Sequence, residues 1–547
     1  MVYKKKRWWH QVMICAALVI LAFRTPLTSA TTTADPRPNI VIILADDLGF
    51  SDLGCYGGEI HTPNLDRLAQ EGLRFTQFYN CARCNPTRAS LLTGLYPHEA
   101  GVGGPVNFLP PAYTGRLNDK CVTIAERLRA AGYYTIMSGK WHLGTVRPHW
   151  PIDRGFDRHF GPLVGGGSYW ELLPGQLFAL DDRLWKPDPN DRNYYLTDEI
   201  TNRAIEFIGD AEEHKKPYFL YVAYTAPHWP LHAWPQDIAK YRSTYRIGWD
   251  EIRRRRYAKQ LKLGLLPARW PLSERDQAVP AWDSLTDELK DTHDLRMSVY
   301  AAMIDRMDQG IGRIMDRIQQ TSSADNTLVM FLSDNGGCHV MVNRGKPGIP
   351  PGPRGGFWGY DIHWANASNT PFRKFKQYTH EGGIATPFIC HWPDGIMRAG
   401  RITRQIGHII DLMATCLDLA GTSYPRTVNG KAILPQRGSS LLPIFKDQQR
   451  PEPSVLYWEH TGHRAVRVGR WKLVADRNRN WELYNLQTDR TELKNLATVM
   501  PDKVKQLRGL YEAWSDRMHV VPWDVISRER QRRKNQALQR PQKESQE

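Results

Sequence analysis

The sequence predicts an α/β protein: a doubly wound sheet with helices packed on it, followed by a smaller antiparallel sheet carrying one helix. Three observations lead there. Asn39–Ala45 (NIVIILA) and Thr327–Leu332 (TLVMFL) are unbroken apolar runs of the length of strands buried on both faces. Between them strand-like and helix-like stretches alternate, as a doubly wound sheet requires. From about residue 450 the pattern changes to short strands with turns between them: Val455–Glu459, Ala465–Val468, Lys472–Ala475 and Glu482–Tyr484, then a helix over Pro501–Met518.

Composition narrows the function classes. With 547 residues, 41% of them hydrophobic, and with 19 Trp and 23 Tyr, the chain can bury a large core and is unlike a disordered protein. The net charge of +16 favours anionic partners, whether nucleic acid, anionic lipid or an acidic substrate. No helix-turn-helix, zinc-finger or RNP-like pattern is present, which sets nucleic acid aside. At the N-terminus, Lys4–Arg7, the apolar Val12–Phe23 and Thr28-Ser29-Ala30 read as an export signal over residues 1–30. The apolar run is too short for a stable membrane span. The expected location is therefore periplasmic or secreted. Cys15 would leave with the signal. Cys55, Cys81, Cys121, Cys338, Cys390 and Cys416 are too widely spaced for a disulfide framework and are expected to be free and buried. The expected division is 36–449 for the main domain, 450–526 for the C-terminal subdomain and 527–547 for a disordered basic tail.

Taken in order, the first strand ends directly in Asp46-Asp47. Carboxylates at the carboxyl end of a buried strand can hold a hard cation, and Asp-Asp-x-Gly is equally ordinary turn chemistry. In Cys81–Gly94 (CARCNPTRASLLTG), a helix begins at Cys84, with Pro86 suited to its first turn and Gly94 able to close it. Cys84 then looks along the open N–H groups of that turn, where anions are favoured, and Arg88 reaches back to it from one turn on. Cys81-x-x-Cys84 could also be a thiol–disulfide site. Thr123–Ala131 is helical, and the strand Tyr134–Met137 leads into SGKWHLG, where Lys140 and His142 point to one side. The glycine-rich Gly161–Ser168 reads as a flexible loop. Strand Tyr218–Tyr224 enters a proline-stiffened loop that can aim His228, with His232 its competitor. The Arg/Lys-rich stretch Ile238–Leu265, including Arg253–Arg256, reads as an exposed helix with a solvated face. Ser298–Ile318 has helical apolar spacing and reads as core. Strand Thr327–Leu332 ends in Ser333-Asp334-Asn335. Two strands ending in Asp-Asp and Asp-Asn offer four oxygen ligands at one sheet edge, which suits Ca²⁺ or Mg²⁺ and not Zn²⁺. Gly345–Phe357 is a Pro/Gly-rich loop beside the cleft.

The pattern C-x-P-x-R-x-x-L-x-T-G over Cys84–Gly94 resembles the signature of the type I sulfatases, closest to the bacterial arylsulfatase branch, with Thr87 where that family usually has Ser. SGKWHLG, Gly155-Phe156-Asp157 with the glycine-rich segment in which Ser168 is a candidate, the histidine after Pro227, Lys376 five residues before Glu381-Gly382-Gly383 (with Arg373 and Lys374 as rivals), WKLV and WELYNL resemble further blocks of it. The resemblance implies an alkaline-phosphatase-like mixed sheet. It implies that a maturation enzyme converts Cys84 to 3-oxoalanine (formylglycine), and that Asp46, Asp47, Asp334 and Asn335 hold a divalent cation, usually Ca²⁺, against residue 84. On that analogy a gem-diol at residue 84 attacks the sulfur of an aryl or carbohydrate sulfate monoester and forms a covalent sulfate-enzyme intermediate. Arg88 and the cation stabilise the nucleophile. Lys140, His228 and Lys376 neutralise the sulfuryl oxygens, His228 or Lys376 protonates the leaving group, and His142 is the base that releases sulfate. Cys81 lies outside the signature, and a Cys81–Cys84 disulfide would block conversion. Two further classes stand beside a sulfatase: a phosphonate monoester or phosphodiester hydrolase on the same framework, and a non-catalytic binding protein for sulfated glycans in which Cys84 stays a thiol.

Overall fold

The computed structural model describes residues 35–539; the expected export signal and residues 540–547 lie outside the described residues. Among the described residues, those from Arg37 onward form one compact unit. Its main sheet has eleven strands: β1 (Asn39–Ala45), β2 (Leu73–Tyr79), β3 (Tyr134–Gly139), β4 (Arg158–Pro162), β5 (Phe178–Leu180), β6 (Arg183–Leu184), β7 (Tyr218–Ala223), β8 (Thr327–Ser333), β9 (Ala385–His391), β10 (Arg401–Thr403) and β11 (Gly407–His408). The spatial order is β10-β2-β9-β8-β1-β7-β3-β4-β5-β6, with β11 beside β2. β8, β1, β7 and β3 run parallel, while β9 is antiparallel to both β8 and β2, so the sheet is mixed.

The unbroken apolar runs follow from burial on both faces. Val41 and Ile43 of β1 pack into one core with helices Leu196–Glu213 and Asp287–Gln319; Ile40, Ile42 and Leu44 pack into the other, with helices Cys84–Thr93, Ile124–Ala130 and Asp411–Leu419. Successive strand residues point to opposite faces, so a strand with no solvent face needs no polar alternation. Helix Ile124–Ala130 starts as its sequence suggests: Thr123 and Glu126 form a reciprocal capping box.

After a short hairpin (β12, Thr427–Val428; β13, Lys431–Ala432), a four-stranded antiparallel sheet follows, β14 (Leu456–His460), β15 (His463–Val468), β16 (Trp471–Ala475) and β17 (Glu482–Asn485), in sequence order. Helix Pro501–Arg517 packs on it through Leu507, Tyr511 and Trp514. The Trp458 indole of β14 donates to the Asn80 carbonyl at 2.8 Å, joining this sheet to the end of β2.

Three expectations meet a definite outcome. All seven described cysteines are free and buried, so no Cys81–Cys84 bridge stands in the way of a reaction at Cys84. The basic helix, observed at Trp249–Lys262, is not a purely solvated face. Arg256 is buried and bonds Asp52 and Glu59, and Arg253 is buried on Ser273. A helix that sits over loops of other elements buries whichever of its cations finds a carboxylate or carbonyl there, which a local charge count cannot foresee. The described part of the expected tail, through Gln539, lies in a helix, Trp523–Gln539. Its Arg, Lys, Gln and Ala residues are strong helix formers, Ile526 anchors it beside Val106 and Tyr113, and Arg528–Asp524 and Arg533–Glu529 pair one turn apart. Among the described residues no helix is long and apolar enough to cross a membrane.

Candidate active site

Adjacent parallel strands release the chain at one sheet edge. Ala45 lies opposite Ser333, so Asp46-Asp47 and Asp334-Asn335 emerge side by side. β7 flanks β1 and leads to His228; β3 flanks β7 and leads to Lys140 and His142. The helix facing them begins at Cys84, behind an extended Arg83, and stops at Gly94 in the left-handed conformation (φ 69°).

The residues singled out from sequence interlock here. Cys84 Sγ is 3.5 Å from His142 Nδ1. Arg88 donates to the Lys140 carbonyl and to Asp334 Oδ2, both at 2.9 Å, and lies 3.5 Å from Asp46 Oδ2. Lys140 Nζ donates to Asp46 Oδ2, and Lys376 Nζ to Asp47 Oδ1, each at 2.5 Å. Asn335 Nδ2 donates to the same Asp47 oxygen at 2.7 Å. His228 Nε2 stands 3.6 Å from Asp47 Oδ2, while its Nδ1 is 2.6 Å from the Trp229 carbonyl. A carbonyl only accepts, so Nδ1 carries the proton of a neutral His228 and Nε2 faces the site.

The rivals are engaged elsewhere. Arg373 bonds the Tyr484 hydroxyl at 3.0 Å and Lys374 bonds Asp276 at 3.2 Å. Both ring nitrogens of His232 meet backbone, Tyr169 N and the Gly356 carbonyl. Ser168 Oγ accepts from Trp170 N at 3.2 Å and serves its own turn.

Burial and charge work against each other in this site. Burial alone would raise the Asp46 carboxyl, but Lys140, His228, Arg88 and Lys376 hold it well below the usual range. Asp47 is lowered against burial by Lys376 and His228. Burial, then the Asp46 charge, push Asp334 well above the usual carboxylate range. The Cys84 thiol is lowered in spite of burial, chiefly by Lys140 and Lys376. Burial, then Lys140 and Arg88, keep His142 neutral.

Asp46 Oδ1, Asp47 Oδ2 and Asn335 Oδ1 are buried and accept no hydrogen bond. Buried acceptors are nearly always satisfied, so three orphans on residues that emerge together fit a cation. They are hard oxygen donors, as Ca²⁺ or Mg²⁺ prefers. Asp46, Asp47 and His228 hold ligand atoms within 4.8 Å of one another. The Asp334 oxygens are already shared with Arg88 and the Asp47 N–H.

Sequence reasoning named two further contributors without assigning their roles. Thr87 Oγ1 donates to the Asp334 carbonyl at 2.7 Å and accepts from Cys81 N at 2.9 Å, which explains why a hydroxyl of either Ser or Thr serves. The loop Gly165–Gly167 lies against both histidines: a Cβ on Gly165 would meet His142 Cε1 at 3.3 Å, and one on Gly166 would meet His228 Cε1 at 2.7 Å. With His228 tied to Trp229, Gly166→Ala is expected to displace the imidazole and lower kcat by about 10²-fold with the fold intact. Steady-state rates and a melting curve check this.

Comparison with known proteins agrees with this fold. The family description Sulfatase matches residues 38–422, and one described as N-sulphoglucosamine sulphohydrolase, C-terminal, matches 372–510. The chain is 35% identical over 538 residues to an uncharacterized sulfatase of Schizosaccharomyces pombe, covering 90% of this chain and 96% of that one. It is 35% identical over 467 residues to an arylsulfatase of Klebsiella aerogenes, covering 80% and 98%. It is 31% identical over 465 residues to the N-acetylgalactosamine-6-sulfatase of Homo sapiens, covering 80% and 74%. Among solved structures, Ps i-CgsB superposes with a TM-score of 0.66 at 26% identity, covering 88% of this chain and 93% of that one.

Proposed function

The chain belongs to the sulfatase family, as a sulfuric ester hydrolase, and from that premise we propose that it cleaves sulfate monoesters of aryl or carbohydrate alcohols at a formylglycine formed from Cys84. The observation that carries this reading is the arrangement at the head of helix Cys84–Thr93. Cys84 Sγ stands 3.5 Å from a neutral His142, among three cations paired to acids, two of which, Asp46 and Asp47, each keep one orphaned oxygen.

Residue 84, once converted by a maturation enzyme, would supply a hydrated aldehyde: one hydroxyl to attack sulfur, the other to let sulfate depart as the aldehyde re-forms. Asp46, Asp47, Asp334 and Asn335 would hold a Ca²⁺ or Mg²⁺ ion, which supplies positive charge toward the sulfuryl oxygens. The chain's own groups do the rest. Arg88, fixed by Asp334 and the Lys140 carbonyl, keeps a permanent charge beside residue 84. Lys140 and Lys376 present charge to the sulfuryl group. His228 can give a proton to the leaving oxygen only from Nε2 and only as the imidazolium, because the neutral ring keeps its single proton on Nδ1, held by the Trp229 carbonyl. His142, kept neutral, can accept the proton whose loss releases sulfate. Trp229, its ring centroid 4.6 Å from that of His228, and Arg344 over the indole offer a flat, cationic rim suited to a sugar or aryl ring. Ps i-CgsB has been crystallised with k-i-k-neocarrahexaose, which favours a carbohydrate ester here too.

Residues 36–449 would carry the site, 450–526 would brace it, and the N-terminal segment would direct export. The test is the mass of the peptide containing residue 84, taken with paired rates on an aryl sulfate and an aryl phosphodiester. An aldehyde mass and preference for the sulfate are expected. A thiol in protein made alongside the maturation enzyme, or strong preference for the diester, overturns the proposal.

A further inference from the structure

We propose that Arg83 reads a second negative charge on the substrate, close to the sulfate being cleaved. This rests on the hydrolase reading above and adds a substrate requirement to it. Arg83 directly precedes Cys84, in extended backbone (φ −156°, ψ 153°) at the N-cap of the site helix. On its other side the Ala82 carbonyl accepts from Gln377 N at 2.8 Å. Arg83 therefore sits between the segment that presents residue 84 and the segment that presents Lys376.

The other cations of the site have carboxylates: Arg88 has Asp334, Lys140 has Asp46 and Lys376 has Asp47. Arg83 has none. Among the described residues its side chain makes no hydrogen bond or ion pair, although it is only partly exposed and its Nε is buried without a partner. Its charge is felt by Cys84, His142, Cys338 and His460. His460 is fully buried with neither ring nitrogen partnered, and burial, with Arg83 next, keeps it neutral. A partly buried guanidinium with no counter-charge is unfavourable in the free protein, and an anion arriving with the substrate relieves it. Its planar fork matches a carboxylate or sulfate in two parallel bonds. The sulfate being cleaved already faces Lys140, Lys376 and His228, so the charge left for Arg83 is another one on the same molecule.

The experiment compares kcat/KM for 2-carboxy-4-nitrophenyl sulfate with that for 4-nitrophenyl sulfate, in the full chain and in Arg83→Gln and Arg83→Lys. The ratio within one preparation cancels any difference in how much of residue 84 is converted. In Arg83→Gln the ratio is expected to fall about tenfold or more, and Arg83→Lys is expected to keep most of it. An unchanged ratio in Arg83→Gln, with both rates falling together or neither falling, overturns the proposal while leaving the hydrolase reading intact. No turnover of either ester by parent protein whose aldehyde is confirmed by mass would overturn the hydrolase reading itself, and this inference with it.

Discussion

Replacing Cys84 by Ala is expected to lower hydrolysis of an aryl sulfate by about 10⁴-fold or more, the scale on which loss of a nucleophile acts when the remaining groups work only through it. The substitution removes one sulfur atom whose polar contact is His142, at 3.5 Å. Lys140, Lys376 and Arg88 keep their carboxylate partners, so the charge frame around residue 84 stays in place. The stability cost is that of a small cavity, about 1–2 kcal/mol. Loss of rate with a near-parental melting curve is therefore the expected pair of readings. A glycan-binding protein with an unmodified thiol at residue 84 would behave otherwise: its affinity for sulfated ligand would change little, and it would have no rate to lose. Measuring inorganic sulfate binding in the same variant separates the two.

The second large effect concerns stability. Glu381 is fully buried and is met by Lys472 at 2.9 Å, Arg490 at 2.7 Å and the Tyr79 hydroxyl at 3.0 Å. Lys472 and Arg490 come from the C-terminal part of the chain, so this carboxylate is where the small sheet grips the large one. Removing one partner of a buried charge cluster strands the others, and Glu381→Ala is expected to cost about 3–5 kcal/mol. Activity should fall as well. The turn rooted at Glu381 ties the Arg373 carbonyl to Gly382 N at 3.0 Å and Gly336 N to the Gly383 carbonyl at 3.2 Å, holding the Lys376 and Asn335 segments together.

The pH dependence of stability has a definite sign. Burial alone would raise the Glu381 carboxyl, but Lys472, Arg490 and Arg467 hold it down to about 2, below its ordinary 4.5. The unfolded chain therefore binds more protons than the folded one between those values. The contribution is fully present above pH 4.5 and is lost as pH falls towards 2. Urea midpoints measured across that window should fall more steeply in the parent than in Glu381→Ala. Equal slopes would show that Glu381 does not carry the acid sensitivity assigned to it.

Much of this site was legible in the sequence because the signals are local. NIVIILA and TLVMFL announce strands without a solvent face, and an acidic pair directly after each needs no fold to be noticed. Pro86 and Gly94 bracket a helix whose first residue is Cys84, as observed. His228 and Lys376 were separable from neighbouring candidates only through the family pattern, since His232, Arg373 and Lys374 have the same chemistry. Their distinct partners became visible only in three dimensions.

What the amino-acid order determined by itself was the set of elements, the class of the sheet and the chemistry gathered at its edge, because periodicity, capping and strand composition depend on residues a few positions apart. The tertiary structure alone decided which charges meet. Lys140 reaches an acid 94 positions away and Lys376 one 329 positions away, Arg253 and Arg256 turn inward, and Arg83 finds no carboxylate among the described residues. Ion pairing and burial are properties of what packing brings to within a few ångströms, and nothing in a short window of sequence encodes that distance.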